Sequence, residues 1–186
     1  LEVPYHDPRA FVSMAANYAT ASRGACHLEA LSYWLGYGTR WSGWYNPDDE
    51  FDQHSSANKG QVAVDFQNYL AVYNPLGLCK FIAKGEVEPQ HIADLVNVAL
   101  GWDWTAGQVI ETGERLFNLK RLINLRLGLS RADDTLPQRL LFEPRPTGGA
   151  AGVLPDLDSM LDEYYKARGW TQEGAPSPER LASLGL

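Results

Sequence analysis

Cysteine is nearly missing from this chain of 186 residues, which has only Cys26 and Cys79. Two thiols cannot build a disulfide framework, and they cannot alone complete a four-ligand metal site. A single Cys26–Cys79 bridge is the one pairing they permit; such sparse usage fits a reducing, cytoplasmic compartment better. Long apolar runs are also missing, so no segment is expected to insert in a membrane. No basic stretch followed by an apolar core marks a secretory signal. Positive charge is in short supply, with 16 Lys and Arg against 23 Asp and Glu, a net −7. That balance argues against a general nucleic-acid or membrane-surface binder. The basic residues that do cluster, Lys120, Arg121, Arg126 and Arg131, read as a solvated or salt-bridged helix face. Period-two alternation is absent as well, which removes the usual strand signal.

What remains is 45% hydrophobic and 21% charged, a globular composition with enough length for one well-buried core. The chain opens at Leu1 rather than methionine, and it is expected to be a processed chain or an excised domain.

Helical spacing dominates. Ile92, Leu95, Val96, Ala99 and Leu100 form a stripe expected to face the core, with Pro89 at the start and Gly101 at the end. Thr105 and Gln108 make a T-x-x-Q capping pattern that opens a helix running to about Leu127, closed by Gly128. Leu157, Met160, Leu161, Tyr164 and Tyr165 repeat the apolar spacing up to a stop at Gly169, and Ser177-Pro178 starts a short terminal helix. In the first half, 10–19, 27–37 and 59–73 read as helices, the last with Val62, Phe66, Tyr69 and Leu70 inward. The expected fold is an all-α, irregular multi-helix domain with two long loops, 36–58 and 144–155. The second carries glycines but no Gly-Lys-Ser/Thr, so it is not a phosphate loop.

Two residues invite chemistry. Cys79 ends Asn74-Pro75-Leu76-Gly77-Leu78-Cys79-Lys80, where a glycine permits positive φ or close backbone approach. A thiolate at a helix–turn junction suits an iron–sulfur ligand, although a lone cysteine is more often an inert buried thiol. His27 follows Arg23-Gly24-Ala25-Cys26, and imidazole titrates near neutrality. Alone, such a histidine is more often packed or capping. His6, His54 and His91 are expected at the surface. Asp133-Asp134 precedes Thr-Leu-Pro and reads as a turn or cap. Trp41, Trp44 and Tyr45 could line a substrate channel, though most aromatics are simply core.

Taken in order, further blocks join these: Asp7-Pro8-Arg9, Tyr18 to His27, Gly113 to Asn118, Asp133 to Arg139, Met160 to Trp170 and Leu184-Gly185-Leu186. From about Tyr5 to Leu186 the chain resembles the C-terminal domain of the tungsten-dependent aldehyde ferredoxin oxidoreductase family. The resemblance implies a single helical C-terminal domain of a larger enzyme, whose pterin-binding and middle domains lie upstream. It implies a tungsten (or molybdenum) bis-pterin centre, a [4Fe-4S] cluster, and oxidation of small aldehydes to carboxylic acids. Electrons would pass through the cluster to ferredoxin or an electron-transfer subunit. In the family's Asp-x-x-Gly-Leu-Cys motif the cysteine is the fourth cluster ligand, and the acid and nearby backbone hold a pterin. Gly77, Leu78 and Cys79 match, Lys80 follows, and Asn74 stands in place of the aspartate. His27 corresponds to a histidine beside the metal that handles the substrate's proton, paired with a glutamate from the preceding domain. Two other readings stay open: the tungsten subunit of a class II benzoyl-CoA reductase, and a metal-free helical interaction module. The domain alone is expected to be inactive.

Overall fold

The computed structural model describes residues 6–45 and 51–186. Tyr5, where the family resemblance begins, and positions 46–50 of the first long loop lie outside the described residues. Eight helices follow in chain order: α1 (Ser13–Thr20), α2 (Tyr33–Gly36), α3 (Lys59–Ala71), α4 (Pro89–Leu100), α5 (Ala106–Arg126), α6 (Gln138–Phe142), α7 (Leu157–Arg168) and α8 (Pro178–Leu184). Two 3-10 turns, Lys80–Gly85 and Arg131–Asp133, complete the regular structure. Among the described residues β-structure is limited to isolated bridges, so the domain is all-α as its periodicity predicts.

α3 is the axis. Eleven of its thirteen residues are buried, because α1, α5 and α7 all pack on it. Gly113 makes the α3–α5 crossing possible, since a β-carbon there would overlap the backbone carbonyl of Asn68. The α3–α7 contact is polar at its centre. Gln67 Oε1 accepts from Tyr164 Oη (2.7 Å) and Arg168 Nη2 (2.8 Å), and Gln67 Nε2 donates to Thr20 Oγ1 (3.1 Å). The fully buried Arg168 guanidinium also lies over the Phe117 ring at 4.3 Å. Buried polar groups cost little only when partnered, and this network partners groups from three helices.

The later helices follow their sequence signals. Thr105 and Gln108 cap α5 reciprocally, Asp156 caps α7 and Gly169 ends it in the left-handed region, and Ser177 caps α8. The α4 stripe needs correction: Ile92, Ala93 and Val96 face inward, while Leu95 is 57% exposed and Ala99 and Leu100 lie outside with Val98. α4 packs chiefly on α5 alone, so only a narrow stripe is covered.

The first half departs further. Instead of a helix over 10–19, the helix begins at Ser13, and the preceding Val12 N donates across to Gln53 O (2.9 Å). The helix expected over 27–37 is reduced to Tyr33–Gly36. There Lys80 Nζ donates to Leu28 O at 2.7 Å, and Ser32 N turns to Ala30 O rather than back to Leu28. Trp41, Trp44 and Tyr45 of the first long loop pack on the core. Trp41 is fully buried, donates Nε1 to Ala83 O (2.9 Å) and meets Phe66 edge-on, while Trp44 sits 4.5 Å from the Tyr69 ring.

Candidate cofactor-facing site

Past α3 the chain enters a tight turn. Gly77 N donates to Asn74 O (3.1 Å) and Leu78 N to Tyr73 O (2.9 Å), with Gly77 at φ +66°. A β-carbon on Gly77 would meet nothing within 4 Å, so glycine is required for its φ, not for space. The segment then alternates. Asn74 to Gly77 and Cys79 are exposed, Leu78 is half-buried against the core, and Lys80 is only 9% exposed. Cys79 therefore presents a free thiol at the surface, at the head of the 3-10 turn Lys80–Gly85. The Lys80 side chain points into the fold, so only its backbone remains for an outside partner.

His27 sits in an irregular segment that side chains hold in place. Glu29, buried, accepts from Ser22 N (2.8 Å) and Ser22 Oγ (2.9 Å), with Arg23 Nε 3.6 Å and Lys120 Nζ 4.0 Å away. Asn17 Nδ2 donates to Cys26 O (3.2 Å), and Arg23 Nη2 approaches Cys26 Sγ at 3.1 Å. Cys26 and Cys79 are both free. Burial lowers the His27 pKa, so the imidazole is neutral at pH 7 and able to accept a proton. The buried Lys80 brings the two turns together through its bond to Leu28 O, the carbonyl next to His27. Desolvation lowers the Lys80 pKa to about 8, with Glu29 acting the other way. Asn74, Lys80, Glu29 and Lys120 line one narrow cleft between the turns.

Sequence reasoning missed His6. It is half-buried rather than a plain surface residue. Its backbone is left-handed (φ +55°), its ring stacks on Tyr33 at 3.5 Å, and it lies 5.5 Å from the His27 ring. Burial first, and the charge of His27 second, lower its pKa to about 4. No periodicity marks it; the turn before Asp7-Pro8 is the only local hint. His91 is exposed as expected and caps α4, its Nδ1 accepting from Glu88 N (3.0 Å), while His54 is half-buried.

The basic cluster on and just beyond α5 is part solvated and part salt-bridged, as expected, with one of its pairs buried. Arg121 is 4% exposed and forms a two-pronged ion pair with Asp134 at 2.7 Å on each prong, while Arg126 is exposed and Arg131 pairs with Asp162 at 2.8 Å. The adjacent acids divide their work. Asp133 caps a 3-10 turn with Ser130, and Asp134 neutralises Arg121 while accepting from Tyr165 Oη.

Among the described residues no group of three or more His, Cys, Asp or Glu side chains could hold a metal ion by itself. The family model for aldehyde ferredoxin oxidoreductase, domains 2 and 3, matches residues 1–186. The chain belongs to that family. The tungsten-containing aldehyde ferredoxin oxidoreductase of Pyrococcus furiosus is 40% identical over 190 residues, covering all of this chain and 30% of the relative. The enzyme of the same name from Pyrococcus horikoshii is 38% identical over 189 residues, with the same coverage. This family chain thus spans about a third of the length of those relatives. In fold it is similar to a solved active-site complex, BamBC of benzoyl coenzyme A reductase with 1,5-dienoyl-CoA, at TM-score 0.66 and 18% identity, over all of this chain and 31% of that one.

Proposed function

We propose that this chain is the C-terminal part of a tungsten bis-pterin enzyme that oxidises small aldehydes to carboxylic acids. The carrying observation is the turn from Asn74 to Cys79, which exposes a free thiol and backbone beside a glycine that leaves the approach open. The fit is that of one wall of a site: a single thiolate for a cluster and a turn for a pterin, the other ligands lying outside these 186 residues. When bound, the metal–pterin centre and its [4Fe-4S] cluster supply the two-electron oxidation and the outlet to ferredoxin or a partner subunit.

The chain's own residues would do the rest. Cys79 would hold the cluster as thiolate. Asn74 and the backbone of Gly77, Leu78 and Lys80 would bind and orient a pterin, the Asn74 amide offering both donors and an acceptor where a carboxylate only accepts. His27, neutral through burial, would accept the proton released as water adds to the aldehyde carbon, and Glu29, Arg23 and Asn17 hold its segment. Identity of 37–40% over the whole chain to aldehyde enzymes, against 18% to the benzoyl-CoA reductase complex, favours the oxidative reading.

Elemental analysis of the full-length protein, purified without oxygen, tests this. About one tungsten and about four irons per chain are expected, with Cys79→Ala losing the irons. Neither metal in protein made with the cofactor supplied would overturn the enzyme reading.

A further inference from the structure

Neither His27 nor Cys79 lies on a helix, so regular structure does not fix their relative placement. A direct bond joins their segments: Lys80 Nζ donates to Leu28 O at 2.7 Å across 52 positions. Each partner is the immediate neighbour of a proposed site residue. Lysine is rarely this buried without pairing, and hiding an ammonium costs more than filling the same space with a methionine. The charge therefore has a use that packing alone does not supply. That use is local. Glu29, next to Leu28, faces the ammonium, and its carboxylate reaches back to Ser22 with Arg23 and Lys120 alongside. The stretch from Ser22 to Glu29 is thus pinned at one end by Glu29 and at the other by Lys80, with His27 between.

We propose that Lys80 is a positioning residue that sets where His27 stands relative to the Cys79 turn. Lys80 contacts neither substrate nor metal through its side chain; it acts through the Leu28 carbonyl. The inference rests on the reading of Cys79 and His27 given above.

The experiment uses the full-length enzyme with Lys80→Met and Lys80→Arg, the second keeping the cation and its N–H donors. Hydrogen exchange of peptides spanning 22–30, metal content, and kcat with KM for an aldehyde are compared with the parent. Lys80→Met should keep its tungsten and iron, exchange roughly tenfold faster at 22–30 alone, and lose about tenfold in kcat with KM nearly unchanged. Lys80→Arg should recover most of both. Parental exchange or parental kcat in Lys80→Met overturns the proposal, as does loss of metal without a change at 22–30. Loss of protection across all helices in both variants would make Lys80 a fold residue only and also overturns it. Iron retained in Cys79→Ala would instead sink the cofactor reading, while the exchange result at 22–30 would still be decided separately.

Discussion

His6 sits in an environment far from that of a solvated imidazole. Its ring is stacked on Tyr33, and its pKa is lowered to about 4 from 6.5. A folded-state pKa below the unfolded one means that the native state favours the neutral ring. The stabilisation is complete above pH 6.5 and is lost as pH falls from 6.5 towards 4. The loss is on the order of 2 kcal/mol after allowing for partial exposure. His6→Phe keeps an aromatic ring for Tyr33 but cannot titrate. Its melting temperature should fall less steeply between pH 6.5 and 4 than that of the unaltered chain, with a uniform offset because phenylalanine tolerates a left-handed backbone less well. Parallel curves would show that His6 is not held neutral. Below about pH 4 a separate loss belongs to Asp7, whose carboxyl is held low against its own burial by the Arg9 guanidinium.

At the scale of elements, helices were legible where their caps lie close in sequence. Thr105 with Gln108 and Ser177 with Pro178 mark helix starts, and Gly169 marks the end of α7, each from residues adjoining that end. Around His27 the same logic failed. There the backbone groups at 12, 26 and 28 are taken by Gln53, Asn17 and Lys80, partners that local patterns do not reveal. The face of α4 was misread for a related reason: periodicity shows that a helix is amphipathic, not how much of the stripe a neighbour covers. The α3–α5 crossing depends on a single missing β-carbon. Gly113→Ala must push α5 away from the Asn68 carbonyl and should cost about 3 kcal/mol or more. Urea melts would register this as a lower midpoint at unchanged slope; an unchanged midpoint would mean that the crossing has slack.

Across the whole molecule the buried Arg121–Asp134 pair ties the C-terminal half together. Arg121 belongs to α5, and its Nε donates to Gly174 O at 2.8 Å. Asp134 lies in the turn beyond the Arg131–Asp133 segment and accepts from Tyr165 of α7. Trp170 lies 4.9 Å beneath the guanidinium and donates to Asn118 at 2.7 Å. Asp134→Ala strands a buried cation and should cost about 3–5 kcal/mol, whereas Arg121→Met with Asp134→Leu should recover much of it. Thermal melts of the single and double variants separate the cost of a stranded charge from the worth of the pair. The pair was half-legible: the Asp-Asp turn was readable as a turn, but only the tertiary structure shows which acid turns inward.

The turn from Asn74 to Lys80 divides into outward and inward positions, which bears on what each can tolerate. The outward positions answer to whatever docks there, and the inward ones to the scaffold. Asn74 is outward, so an exchange there leaves the core undisturbed. Lys80, six positions later and inward, is anchored to a loop 52 residues away and has no such licence. Chemical novelty and architectural continuity are thus written into neighbouring letters of a single turn.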